Sequence, residues 1–249
     1  MILTIAAREL RALFLSPLAW TILAVMQLIL AFLFLARVEL VQLYQSQLLA
    51  SENAPGITEI ILPDLLGNAA ILLLLVVPLL TMRLIAEERR NKTLALLFSA
   101  PVSMTEIVLG KYLGIVAFLW LILAFIALMP LSLLAGGTLD YGMVASGLLG
   151  LALLLAGFAA VGLFTSTLTQ YPTVAAIGAF GALLLFWILD WTGQGVAGGS
   201  VLAYLSLFNH YRPFLDGVFD SADAVYHLLL IATFLALSIR RLDADRLGG

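Results

Sequence analysis

The chain has 249 residues, 63% of them hydrophobic and 11% charged, with a mean hydropathy of +1.13. A soluble domain carries about a quarter charged residues, so water is not the main solvent of this chain. Its net charge of −3 leaves no basic surface for nucleic acid, and the absence of cysteine excludes disulfides and thiolate metal sites.

Residues 1–16, MILTIAARELRALFLS, set Ile2, Ile5, Leu10, Leu13 and Phe14 against Arg8, Glu9 and Arg11. This pattern predicts an amphipathic N-terminal helix in the membrane interface, or alternatively a frayed extension of the first span. Six apolar runs follow, at 18–36, 65–82, 112–135, 142–168, 173–189 and 225–239. A bilayer crossing takes about 20 residues. The first five runs meet that length, and the sixth needs a start near Asp223 to reach it. The first run is long enough to remain an anchor rather than a cleaved leader. The fold class expected is an all-α membrane protein with six transmembrane helices, as a single domain over 1–249.

Ten of the twelve basic residues fall in segments that share one side if the N-terminus is cytoplasmic. Only Arg37 and Arg212 fall on the other, which predicts that both chain ends are cytoplasmic. Apart from His227, at the outer end of the last run, the runs hold no Asp, Glu, Lys, Arg or His. Proton relays and intramembrane proteases keep such groups at depth, so an intramembrane hydrolase or transferase is disfavoured. The apolar spans, with no charged or aromatic cage, favour a lipidic or amphipathic cargo over a sugar or ion.

The segment after the second run reads RLIAEERRNKTLALLFSAPVSMTEIVLGKYLG, residues 83–114. Glu87, Glu88, Arg89, Arg90 and Lys92 crowd into six positions. Asn91 or Thr93 is suited to cap a short helix whose apolar face is Leu94, Leu97 and Phe98, and Pro101 ends it. Ser103 and Glu106 form a capping box that starts the third span, with Lys111 near the lipid interface. Two readings remain open on spacing alone: an interfacial helix facing anionic lipid, or a helix that docks into a cytoplasmic motor.

Small-xxx-small pairs occur in the fifth run, Ala175/Ala179 and Gly178/Ala182, and in the fourth, Ser146/Gly150 and Ala156/Ala160. They suit either a subunit interface or packing within one chain. Gln27, the amide in the first run, suits a pathway or a bond to a neighbouring helix. Beyond the fifth run, GQGVAGGS (193–200) is a flexible break and VLAYLSLF (201–208) is apolar but too short to cross. His210, Asp216, Asp220, Asp223 and His227 lack a repeated ligand spacing; Asp220 suits a helix N-cap and Asp223 the first turn beside it.

The pattern Glu88, Thr93, Leu94, Leu96, Leu97, Ser99, Pro101, Val102 and Ser103, followed by EIVLGKYLG from Glu106 to Gly114, resembles the permease subunits of ABC-2 type exporters. FNHYRPFLDGVFDSADAVYH, residues 208–227, further resembles the gliding-motility-associated branch. The resemblance implies a permease of the bacterial inner membrane that works as a homo- or heterodimer with a pair of ABC ATPase subunits. It implies that the helix around Asn91 to Ser99 couples the two, that re-entrant half-helices lie between spans five and six, and that spans one and five meet the second permease copy. ATP and magnesium belong to the ATPase, and a membrane-anchored periplasmic auxiliary protein is a further implied partner. The chain has no nucleotide site of its own: before Gly110-Lys111, Thr105 stands where a P-loop needs its first glycine, and Tyr112 replaces the magnesium-binding Ser/Thr. The expected function is an ATP-driven exporter permease; the alternative is transmission of force to a periplasmic partner without cargo.

Overall fold

Each apolar run becomes a helix, and each helix is longer than its run. The computed structural model describes residues 1–43, 56–94, 102–135, 139–192 and 204–247. Its helices are α1 (Ile2–Leu15), α2 (Pro17–Leu43), α3 (Ile57–Thr81), α4 (Ala86–Arg90), α5 (Met104–Ser132), α6 (Tyr141–Leu168), α7 (Pro172–Thr192), α8 (Leu207–Leu215) and α9 (Ser221–Leu247). Among the described residues there is no strand. Six of them, α2, α3, α5, α6, α7 and α9, are long and apolar enough to cross a membrane, so this is a multi-pass membrane protein.

Local chemistry sets the starts. Pro17 and Pro172 each occupy the first position of a helix, where a missing N–H costs nothing. The expected capping box opens α5: Ser103 N donates to Glu106 Oε2 at 3.1 Å, and Glu106 N donates to Ser103 Oγ at 3.2 Å. Asp140 opens α6 by accepting from Gly142 N and Met143 N. Asp220 precedes α9 and accepts from Ala222 N at 2.8 Å, so the last span starts at Ser221, ahead of its apolar run.

Two span limits differ from the apolar runs for one electrostatic reason. Arg37 and Asp64, expected in the loop after the first span, lie on α2 and α3 and pair at 2.7 Å. Pairing lets both helices continue past their apolar runs without exposing a lone charge to lipid.

The helix α6 is the centre of the bundle. Of its most apolar stretch 72% is buried inside the protein, against 22% for α2 and α7, which leaves those two at the periphery. It packs against α3, α5, α7, α8 and α9. Tyr112 Oη of α5 reaches across to the Ala156 carbonyl at 3.1 Å. Close approach to α3 depends on Gly162: a Cβ there would stand 2.8 Å from Thr81 Cβ and would overlap its hydroxyl.

The ends sort into two groups. Around one, the arginine-rich end, gather α1, the start of α2, the end of α3, α4, the start of α5 and the ends of α6 and α9. At the other end, Asp140 N donates to Thr58 Oγ1 at 3.3 Å, and α8 packs against α3, α6, α7 and α9. Both described chain ends therefore share the arginine-rich end.

The α8 helix starts later than the apolar stretch 201–208. Ser206 caps it by accepting from Asn209 N, and its buried face is Leu207, Tyr211, Phe214 and Leu215, at helical spacing. Residues 193–203, which include the expected flexible break and the start of the apolar stretch 201–208, lie outside the described residues.

Gly162→Ala is expected to lower the melting temperature of the detergent-solubilised protein, at a cost of about 1–3 kcal/mol. Gly67→Ala, where an added Cβ meets nothing within 4 Å, is expected not to lower melting, and circular dichroism on both variants checks the contrast.

Candidate functional site

The segment between α3 and α5 carries the charge cluster, and its shape begins with a side chain from another helix. Ser166, fully buried near the end of α6, accepts from Ile85 N and Ala86 N at 3.0 Å each and donates to the Met82 carbonyl at 3.0 Å. One hydroxyl thus satisfies two amides that open α4 and a carbonyl that closes α3. Leu84, Ile85 and Ala86 are buried around it, so the chain turns here in a fixed geometry.

At its far end α4 closes with both bonds of a Schellman motif: Thr93 N donates to the Glu88 carbonyl and Lys92 N to the Arg89 carbonyl. Lys92 occupies the left-handed position that motif requires, with φ 58°. Asn91 therefore ends one helix instead of capping the next. The expected helix cannot start at Asn91, because the Schellman turn reverses the backbone there.

Within α4, neighbouring residues point to different anchors. Glu88 Oε1 meets Lys111 Nζ of α5 at 2.8 Å, and Lys111 also meets Glu9 Oε2 of α1 at 3.1 Å. Arg89 Nη2 donates to the Thr167 carbonyl of α6 at 2.9 Å and pairs with the Asp245 carboxylate of α9, which Arg241 also approaches. Glu88 thus joins α4 to α1 and α5, while Arg89 joins it to α6 and α9.

Lys111 is a correction to the sequence reading. It was expected near the lipid interface and is instead 4% exposed, enclosed by two carboxylates. The physical reason is α1, which covers it. Gly110 and Gly114 remove the side chains that would keep α1 away: a Cβ at Gly110 would stand 2.6 Å from Ile5 Cβ, and one at Gly114 would stand 2.8 Å from Glu9 Cβ. Farther along, the rings of Phe14 and Phe118 meet edge-on at 5.6 Å. The order of these contacts shows α1 running alongside α5 in the same chain direction. It is a helix of its own, set off from α2 by extended backbone at Ser16. Glu9 lies on its packed face, not on the charged face with Arg8 and Arg11.

Residues 3–247 match the model of the ABC-2 family transporter proteins. The chain belongs to the ABC-2 transporter family. It is accordingly a membrane permease of an ABC transporter, and the partner this family implies is an ABC ATPase. No curated protein matches the sequence.

The permease divides its predicted site residues into inward and outward sets. Glu87, Arg90, Asn91, Lys92 and Thr93 are exposed, Leu94 is buried, and Glu88 and Arg89 turn inward as described. Leu97, Phe98, Ser99 and Pro101 lie outside the described residues. Gln27 donates to the Ile122 carbonyl at 3.5 Å, the bond to a neighbouring helix that its position allowed. The two pairs of the fifth span part company: Ala175 and Ala179 are buried, Gly178 is exposed and Ala182 is half-buried.

Sequence reasoning missed Glu9, Ser166 and Asp245 as parts of this site. Gly110, Lys111 and Gly114, close together on α5, were the signal that a helix covers that lysine. Nothing local marks Ser166, whose partners stand 80 or more residues away, and locally Asp245 reads only as a partner of Arg241, with Arg89 156 residues off.

At the opposite end, His210 Nδ1 lies 2.6 Å from Asp223 Oδ1, and Nε2 lies 2.8 Å from the Tyr204 carbonyl oxygen. The ring stacks on Tyr226 with centroids 3.9 Å apart. Asp223, expected only to sit beside a helix end, also fastens α9 to α8.

Lys111→Met is expected to destabilise the permease by about 3 kcal/mol, the low end for breaking a buried ion pair. The low end applies because Glu9 and Glu88 keep about a fifth of their side-chain surface exposed. Thermal melting in detergent checks it, and a loss below about 1 kcal/mol would remove the lysine from its central place.

Proposed function

We propose that this permease is the membrane subunit of an ATP-driven exporter of the bacterial inner membrane, with the arginine-rich end in the cytoplasm. Ten of twelve basic residues on one side support that orientation. In this reading a pair of ABC ATPases, which hold the ATP and magnesium, docks on the exposed residues Arg90, Lys92 and Thr93 and on the chain that follows. Movement of the ATPases then passes through α4 into the bundle. Membership of the gliding-motility-associated branch, with a membrane-anchored periplasmic auxiliary protein, is part of the same proposal and rests on the 208–227 resemblance.

The observation that carries the reading is the pair of side chains Glu88 and Arg89. A segment that merely rested on lipid would gain nothing from adjacent residues tied to α1 and α5 on one hand and α6 and α9 on the other. A segment that transmits force needs such ties, because coupling requires a contiguous physical contact between the site pushed and the helices that move. Arg89 holds α4 within the subunit, so reversing its charge tests the tie, whereas Arg90 and Lys92 test the docking.

Arg90→Glu with Lys92→Glu is expected to abolish co-purification of the ATPase with the tagged permease while membrane insertion stays normal. Normal recovery of the ATPase with this double variant would sink the docking assignment.

The second permease copy is proposed to meet α7. Val174, Ile177, Gly178, Gly181, Leu185 and Ile188 are all exposed and recur at helical spacing, so they form one face. Gly178 and Gly181 in its middle permit close backbone approach. Because the chain lacks cysteine, Ile177→Cys is expected to give a disulfide-linked dimer on mild oxidation in membranes. A chain that stays monomeric on a denaturing gel, with Leu185→Cys likewise unlinked, would place the contact elsewhere.

A further inference from the structure

At the arginine-rich end, a cavity of about 260 Å³ opens between α1, the start of α2 and the end of α3. Its walls change character with depth. Leu18 opens the first span, and Leu79 and Leu80 belong to the last turn of the apolar run in α3, so the deep wall is hydrocarbon and lies within the membrane slab. The shallow wall is charged, formed by Arg8, Arg83, Lys111, Glu9, Glu87 and Glu88.

The charges are balanced in number and unequally engaged. Lys111 is held by Glu9 and by Glu88 Oε1. Arg8, Arg83 and Glu87 are exposed toward the opening. The wall therefore offers two arginines to an anion and, beside them, the exposed Glu87 carboxylate, which can accept from an N–H.

We propose that this cavity binds the headgroup of a zwitterionic phospholipid with a primary ammonium, its phosphate on Arg8 and Arg83, its ammonium on the Glu87 carboxylate, and its acyl chains along Leu79 and Leu80. An anionic lipid would bring nothing to the carboxylates. A choline headgroup has the charge but no N–H to donate. A side chain of the ATPase, arriving from water, would have no use for a wall of leucines at membrane depth. The bound lipid sits against Glu88 and so against the ion pair that fixes α4 to α1 and α5. The inference needs only the membrane spans, not the docking of an ATPase, so the two readings fail separately.

The test is native mass spectrometry of the full-length permease in detergent with equal amounts of dioleoyl phosphatidylethanolamine, phosphatidylcholine and phosphatidylglycerol. The expected result is retention of phosphatidylethanolamine over phosphatidylcholine by roughly tenfold, the worth of one charge-assisted hydrogen bond. Arg83→Ala and Glu87→Gln, at exposed positions outside the ion-pair network, are each expected to cut that retention several-fold with unchanged melting. Equal retention of the three lipids, a preference for phosphatidylglycerol, or variants that bind as the parent does would each overturn the proposal. So would the absence of any retained lipid together with labelling of Arg83→Cys that only the ATPase blocks, an outcome that assigns the cavity to the ATPase.

Discussion

The structure depends on one cation that protein encloses almost completely. Lys111 stands on α5, and its ammonium is shared by Glu9 of α1 and Glu88 of α4. Three chain segments are joined at this nitrogen. A charge at such a site is tolerable only while its partners remain in place, so the position of each segment is a condition for the other two. The glycines Gly110 and Gly114 serve the same end by steric means: they let the α1 backbone come close enough for Glu9 to reach the lysine.

Elsewhere the bundle is held by shape more than by charge. Between membrane helices there is no hydrophobic drive, since lipid tails are as apolar as leucine, and contact is won by close packing and by polar groups shared across helices. The central helix α6 illustrates both. Gly162 admits α3 to its surface, while Ser166 and Thr167 at its end take up backbone groups and a guanidinium from the segment after α3. Polar contacts thus gather at the ends of the bundle, and the middle is nearly free of them.

The sequence made the number of spans legible because a run of about 20 apolar residues has few other uses. It made their limits less legible, since Arg37 and Asp64 look like the edges of a loop until each is seen to neutralise the other. The capping box at Ser103 was readable because its two partners are three residues apart, and the Asp220 cap for the same reason. The charged segment after α3 was legible as a cluster but not as an arrangement. Its charges were plain, yet which of them face inward is decided by Ser166 and Asp245, whose distance in sequence hides them. In the fifth span, the small residues were visible as a group, and only the packing separates the buried alanines from the exposed Gly178.

The placement of Glu88 and Arg89 side by side has a mechanical consequence. Successive residues of a helix point about 100° apart around its axis, so the two tethers leave α4 on different sides. Turning that short helix about its axis draws one tether in as it lets the other out. Under the proposed coupling, such a twist would pull the α1/α5 side and the α6/α9 side in opposite senses.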